Sequence, residues 1–210
     1  MKIGIIGAGN MGSAFARRLT AAGHEVAITA RNPDEARQAA EQAGPKARAV
    51  PQGEVAEGTD VLVLAVPFGQ AAKALKAVRN TDGKAVVDIS NPLNEEGSAL
   101  VVGHTTSAAE EIQRSAPGVK VVKAFNTVFA QILGAPAPDS GAKAQVFYAG
   151  DDAGAKDTVR RVIESASFEA VDAGALANAR YLEPLGMLNI WLGYAGERGT
   201  GVAPAWRQVA

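Results

Sequence analysis

Cysteine is absent from the 210 residues, which excludes disulfides, thiolate metal ligands and a cysteine nucleophile together. Histidine is scarce as well, with only His24 and His104, so imidazoles are too few for a zinc site or a histidine-centred triad, and no metal is expected. Neither sign of charge dominates: 21 Lys and Arg stand against 22 Asp and Glu, a formal net charge of -1. A chain so balanced has no global basic field with which to grip nucleic acid, and no nucleic-acid partner is expected. Long apolar runs are missing too. Val61 to Phe68 is the longest and falls far short of the ~20 residues that cross a bilayer. Gly4, Gly7 and Gly9 interrupt the N-terminal apolar stretch before it can serve as a signal-peptide core. A cytoplasmic location away from the membrane is the expectation.

What is present is ordinary for a folded domain: 47% hydrophobic and 20% charged residues, enough for one core. Strands and helices alternate along the chain. Lys2 to Ile6 reads as a strand, Ser13 to Ala22 as a helix and Glu25 to Thr29 as a second strand. Asn32-Pro33-Asp34-Glu35 has the chemistry of a helix start, with a capping Asn, Pro at the first position and acids in the first turn, and Gly44-Pro45 ends that helix. A short strand near Ala49 precedes strands at Val61 to Val66, Ala85 to Ile89 and Val119 to Phe125, separated by helices at Gln70 to Val78 and around Ser107 to Ser115. Strands at Gln145 to Ala149 and Phe168 to Asp172 flank a helix from Ala153 to Ser165. Near-continuous apolar runs such as Val61 to Val66 suit strands buried on both faces. The expected fold is therefore α/β, a doubly wound and mostly parallel sheet of the Rossmann type over residues 1–174, with a short helical C-terminal segment over 175–210. In that segment Pro184 predicts that the helix proper starts there, and Leu185, Leu188, Trp191 and Leu192 at helical spacing read as core or as a homodimer interface.

The first strand ends in Gly7-Ala8-Gly9-Asn10-Met11-Gly12, a G-x-G-x-x-G leading into the first helix. Alone the triplet is only a tight turn, but inside a βαβ unit it fits a pyrophosphate at a helix N-terminus. An acid at the end of the second strand would hold the ribose 2′-hydroxyl of NAD. Here that stretch is Ile28-Thr29-Ala30-Arg31-Asn32. Arg31 can clamp a 2′-phosphate or stack on adenine, with Thr29 and Asn32 as neighbouring hydrogen-bond groups, so NADP is the expected cofactor. Val66, Pro67 and Phe68 after one strand, Asn91 after the next and Asn126 with Thr127 after a third lie where ligands of such sheets collect, though Pro-Phe and Asn-Pro also serve as plain turns.

Gly7 to Gly12, Thr29 to Asn32, Ala65-Val66-Pro67, Lys123-Ala124-Phe125-Asn126-Thr127 and Asp172 to Arg180 together resemble the NADPH-dependent reductases of the deazaflavin coenzyme F-420 (F420). Lys123 to Thr127 also resembles the oxidoreductase domain of the metalloreductases called six-transmembrane epithelial antigens of the prostate. The resemblance implies NADP contacts at Gly7, Gly9, Gly12, Thr29, Arg31, Val66 and Pro67. It also implies a deazaflavin or flavin ring, F-420, FMN or FAD, stacked on the nicotinamide beside Asn91, Asn126 and the last helix. Hydride transfer between two such rings is carried by the cofactors, so no catalytic acid or base is singled out and the partner is a small-molecule hydride acceptor. Two other readings are an NADP-binding redox sensor without turnover and a dehydrogenase of a small imine or hydroxy acid.

Overall fold

A computed structural model describes residues 1–136 and 143–209. Eight strands form one sheet: β1 Lys2–Ile6, β2 Glu25–Thr29, β3 Ala47–Ala49, β4 Val61–Leu64, β5 Ala85–Asp88, β6 Lys120–Ala124, β7 Gln145–Gly150 and β8 Glu169–Asp172. Their order across the sheet is β3-β2-β1-β4-β5-β6-β7-β8. Neighbours are parallel except β6 and β7, which pair antiparallel. Winding goes one way from β1 to β3 and the other way from β4 outward. The break between β1 and β4 is thus the switch point, where the carboxyl ends of the strands part to leave a crevice.

Side chains alternate across each strand, so an unbroken apolar strand feeds two cores. Val61 and Val63 join Ile3, Ile5 and Phe15 under α1 Asn10–Ala21, α2 Pro33–Ala43, α5 Ala130–Gly134 and α6 Ala153–Ser165. Leu62 and Leu64 face the other way, onto Ala71 and Leu75 of α3 Phe68–Lys76 and Ala109 and Ile112 of α4 Ala108–Ser115. Helix starts follow cap chemistry. Asn32 Oδ1 accepts from the Asp34 N–H at 3.0 Å, Ser107 from Glu110 and Asp152 from Ala155.

The last helix departs from expectation. A 3-10 turn at Leu176–Asn178 runs straight into α7 Ala179–Tyr194, so the helix begins before Pro184 and carries that proline in its second turn. A proline there removes one backbone hydrogen bond, at ~3 kcal/mol or more for an interior site. Anchors on the buried face of α7 hold the helix across the defect: Leu182, Glu183, Gly186 and Asn189. The apolar stripe is divided: Leu185 packs partly buried against Phe147, Ala149 and Leu182, and Leu192 is half-buried, whereas the outer side of the helix is open. Leu188, Trp191 and Tyr194 are 52%, 55% and 67% exposed.

Candidate functional site

The three glycines of the first loop have different work. Gly7 has φ +113°, where L side chains are strained, and a Cβ on it would sit 2.2 Å from the Ala65 carbonyl oxygen. A Cβ on Gly12 would lie 1.9 Å from the Gly7 carbonyl oxygen, so Gly12 lets α1 press against β1. Both are demanded by the protein itself. Gly9 is not: its φ of -69° suits any residue and a Cβ there would meet nothing within 4 Å. It stands at the N-cap of α1 with no side chain to satisfy the first-turn amides, and that turn contains no acid. Unsatisfied N–H groups and the positive helix end are thus left for an anion from outside, and the missing Cβ keeps the approach clear.

That approach opens into a cleft of about 470 Å³ between the carboxyl ends of β1, β2 and β4 and one face of α3. Gly7, Ala8 and Gly9 form its floor, Thr29 and Arg31 one wall, Val66 and Pro67 the back. Thr29 is buried, whereas Arg31 is exposed. Gln70 and Lys73 of α3 add a second polar wall that the sequence reading did not single out. A basic residue well inside the helix that follows a strand end was the available signal. Glu35 is the acid among the lining residues.

The other residues singled out from the sequence lie apart from this lining. Asn10 and Met11 begin α1 beside Gly12, Asn32 is engaged as the α2 cap, and Phe68 opens α3 and packs on its core. Asn91 and Asn126 meet each other: Asn91 Nδ2 donates to the Asn126 carbonyl at 2.8 Å, and Asn126 Nδ2 donates to Asn91 Oδ1 at 2.9 Å and to the Leu182 carbonyl at 2.7 Å. Gly186 of α7 sits on this pair so closely that a Cβ would lie 2.6 Å from Asn91 Oδ1. The turn that delivers Asn126 is strained, since Phe125 has φ +60° while its ring packs edge-on against Phe15 at 4.9 Å.

Beneath the amide pair lies a charged cluster that sequence reasoning missed. Lys123 Nζ contacts Asp88 Oδ2 at 2.7 Å, Glu183 Oε1 at 2.8 Å and the Ser90 carbonyl at 2.6 Å. Lys123 and Asp88 are fully buried and Glu183 is 1% exposed. Asp88 Oδ1 also accepts from the Ser90 N–H and hydroxyl, and the Glu183 carboxylate accepts from the Ala108 and Ala109 N–H groups at the start of α4. Every proton of the ammonium is used. The cluster ties β5, β6, α4 and α7 together at the strand ends.

Among the described residues no group of three or more His, Asp or Glu is arranged to hold a metal, and no helix is long and apolar enough to cross a membrane. Gly9 and Arg31, whose guanidinium makes no ion pair among the described residues, fit a dinucleotide carrying a 2′-phosphate.

Comparison with known proteins identifies the family. Residues 2–92 match the family described as NADP oxidoreductase coenzyme F420-dependent. The F420-dependent NADP reductase of Methanothermobacter marburgensis is 31% identical over 202 residues, 88% of this chain and 89% of that protein. The rat metalloreductase STEAP3 is 33% identical over 90% of this chain, which spans only 38% of the length of that relative. A crystal structure from Arthrobacter sp. FB24, provisionally called an F420-dependent NADP-reductase, superposes with a TM-score of 0.81 at 33% identity, covering 93% of this chain and 94% of that one. The protein accordingly belongs to the coenzyme F420-dependent family of NADP oxidoreductases.

Proposed function

We propose that this protein takes hydride from NADPH and passes it to a flavin-like ring, with deazaflavin F-420 as the favoured acceptor and FMN or FAD as the alternatives. The observation that carries the cofactor half is Gly9, a glycine that no neighbour requires, at the floor of a cleft whose wall bears Arg31. In this reading Gly7, Ala8 and Gly9 receive the pyrophosphate, assisted by the amides of Asn10, Met11 and Gly12. Thr29 and Arg31 receive the 2′-phosphate, and Val66 and Pro67 wall the adenosine–ribose run. Asn32 positions the loop by capping α2, and Phe68 backs it from α3. Bound NADPH supplies the hydride. The chain's task is to orient it and keep water away, for which no general acid is needed.

The acceptor half rests on the similarity to a named F420-dependent NADP reductase along nearly its whole length. Residues 1–174 act as the cofactor domain and 175–210 as the acceptor-side segment, in which α7 covers the Asn91–Asn126 pair. The pair shapes the floor under the acceptor rather than the wall of the adenosine cleft. The exposed face of α7 bearing Leu188, Trp191 and Tyr194 suits a homodimer, because patches of that kind are seldom left bare. Trp191→Glu should then yield monomers by sedimentation, and an unchanged mass would remove the α7 interface from the reading.

The test of the function is anaerobic NADPH oxidation with F-420, FMN, FAD and a ferric chelate as rival acceptors. Turnover with F-420 above the others is expected. Tight NADPH binding with no turnover on any of them would leave an NADP sensor instead.

A further inference from the structure

Lys73 stands on α3 in register with Gln70, Ala74 and Ala77, and this one face of the helix forms the cleft wall opposite Arg31. Gln52 fixes that wall by donating to the Ala74 carbonyl at 3.0 Å, while Ala74 and Ala77 keep it free of bulk. Among the described residues Lys73 and Arg31 make no ion pair. The nearby Arg79 does, being engaged with Glu54 and Glu57.

Charge decides what Lys73 is for. The wall from β2 and α2 contributes Arg31 and Glu35, one cation and one anion, and is neutral as a whole. A phosphomonoester carries about -1.5 to -2 at pH 7. A neutral wall gives such a group little net attraction, and Lys73 is the cation in the lining that tips the balance. We propose that Lys73 is a specificity-determining residue, the second cation for the 2′-phosphate of NADP, reaching it from α3 while Arg31 reaches it from β2. The inference rests on the proposed placement of the adenosine half in this cleft.

Two probes that differ only in the 2′-phosphate isolate the effect: 2′,5′-ADP and 5′-AMP, titrated calorimetrically into the parent protein, Lys73→Gln and Lys73→Arg. Lys73 is exposed on a helix, so both variants should melt like the parent. Lys73→Gln should weaken 2′,5′-ADP about ten-fold, the scale of one charge-assisted hydrogen bond, and change 5′-AMP less than about two-fold. Lys73→Arg should keep most of the affinity for 2′,5′-ADP. Equal losses for the two probes would move Lys73 to the 5′-phosphate and overturn the inference. So would full retention of 2′,5′-ADP binding by Lys73→Gln while the parent still prefers it over 5′-AMP, and that result would leave the cleft assignment standing. A parent protein that holds both probes equally would overturn the cleft assignment and the inference with it.

Discussion

Gly9 separates what the fold needs from what a ligand needs. Gly9→Ala adds a methyl group to empty space at a permitted φ, so thermal stability should change by less than ~0.5 kcal/mol, while NADPH affinity should fall at least about ten-fold through blocked pyrophosphate approach. Gly12→Ala should do the reverse damage, losing stability because its Cβ would collide with the Gly7 carbonyl. Melting curves beside NADPH titrations separate the two outcomes, and a Gly9→Ala protein that binds NADPH normally would refute the phosphate loop. Arg31→Ala should cut the preference for NADPH over NADH by about ten-fold, ~1.4 kcal/mol, and calorimetric equality of the two dinucleotides in the parent would argue against a 2′-phosphate at Arg31. Glycine spacing and the missing acid at the end of β2 were legible in the sequence because both are local signals. Lys73 was not, because its role depends on which face of α3 the fold turns toward β2.

At the scale of elements, the C-terminal helix is held by charge as much as by apolar packing. Asp88 and Lys123 sit inside strands otherwise read as apolar runs, and their partner Glu183 comes from a distant helix, so no periodicity in the sequence marks them as a cluster. Lys123→Met leaves two buried carboxylates without their cation and should cost about 3–5 kcal/mol in denaturant unfolding; a loss below ~1 kcal/mol would show that the cluster is not the anchor of α7. A second tie lies nearer the surface, where Arg180 of α7 donates to both oxygens of Glu110 on α4, at 2.9 and 2.5 Å. The Arg180 guanidinium holds the Glu110 carboxyl below its ordinary value of 4.5, against the opposing effect of partial burial. A depressed carboxylate stabilises the fold above its unfolded pKa and loses that contribution as pH falls through the folded one. The stability gap between the parent and Glu110→Gln should therefore be constant at neutral pH and close only below about pH 4.5. A gap that instead widens on acidification would contradict the pairing. Pro184 misled the helix boundary for a related reason: local cost is visible in a sequence, while the tertiary contacts that outweigh it are not.

For the whole molecule, the doubly wound sheet was readable because strands buried on both faces leave unbroken apolar runs, and capped helices between them mark the alternation of a mostly parallel sheet. Strand order, the antiparallel β7 and the short α5 depend on long-range packing that those runs do not encode. The proposed site is readable in the same measure: its phosphate end falls in one continuous βαβ stretch, whereas the acceptor end we propose draws on β5, β6 and α7. The proposed hydride transfer would join the two ends, and label transfer tests it most directly. The protein is mixed anaerobically with NADPH deuterated at C4 and with oxidised F-420, and the reduced deazaflavin is examined by mass spectrometry and NMR. Deuterium at the carbon-bound reducing position of the deazaflavin is the expected result. Tight binding of NADPH with no label transferred to F-420, and with FMN and FAD left oxidised, would contradict a reductase of flavin-like rings.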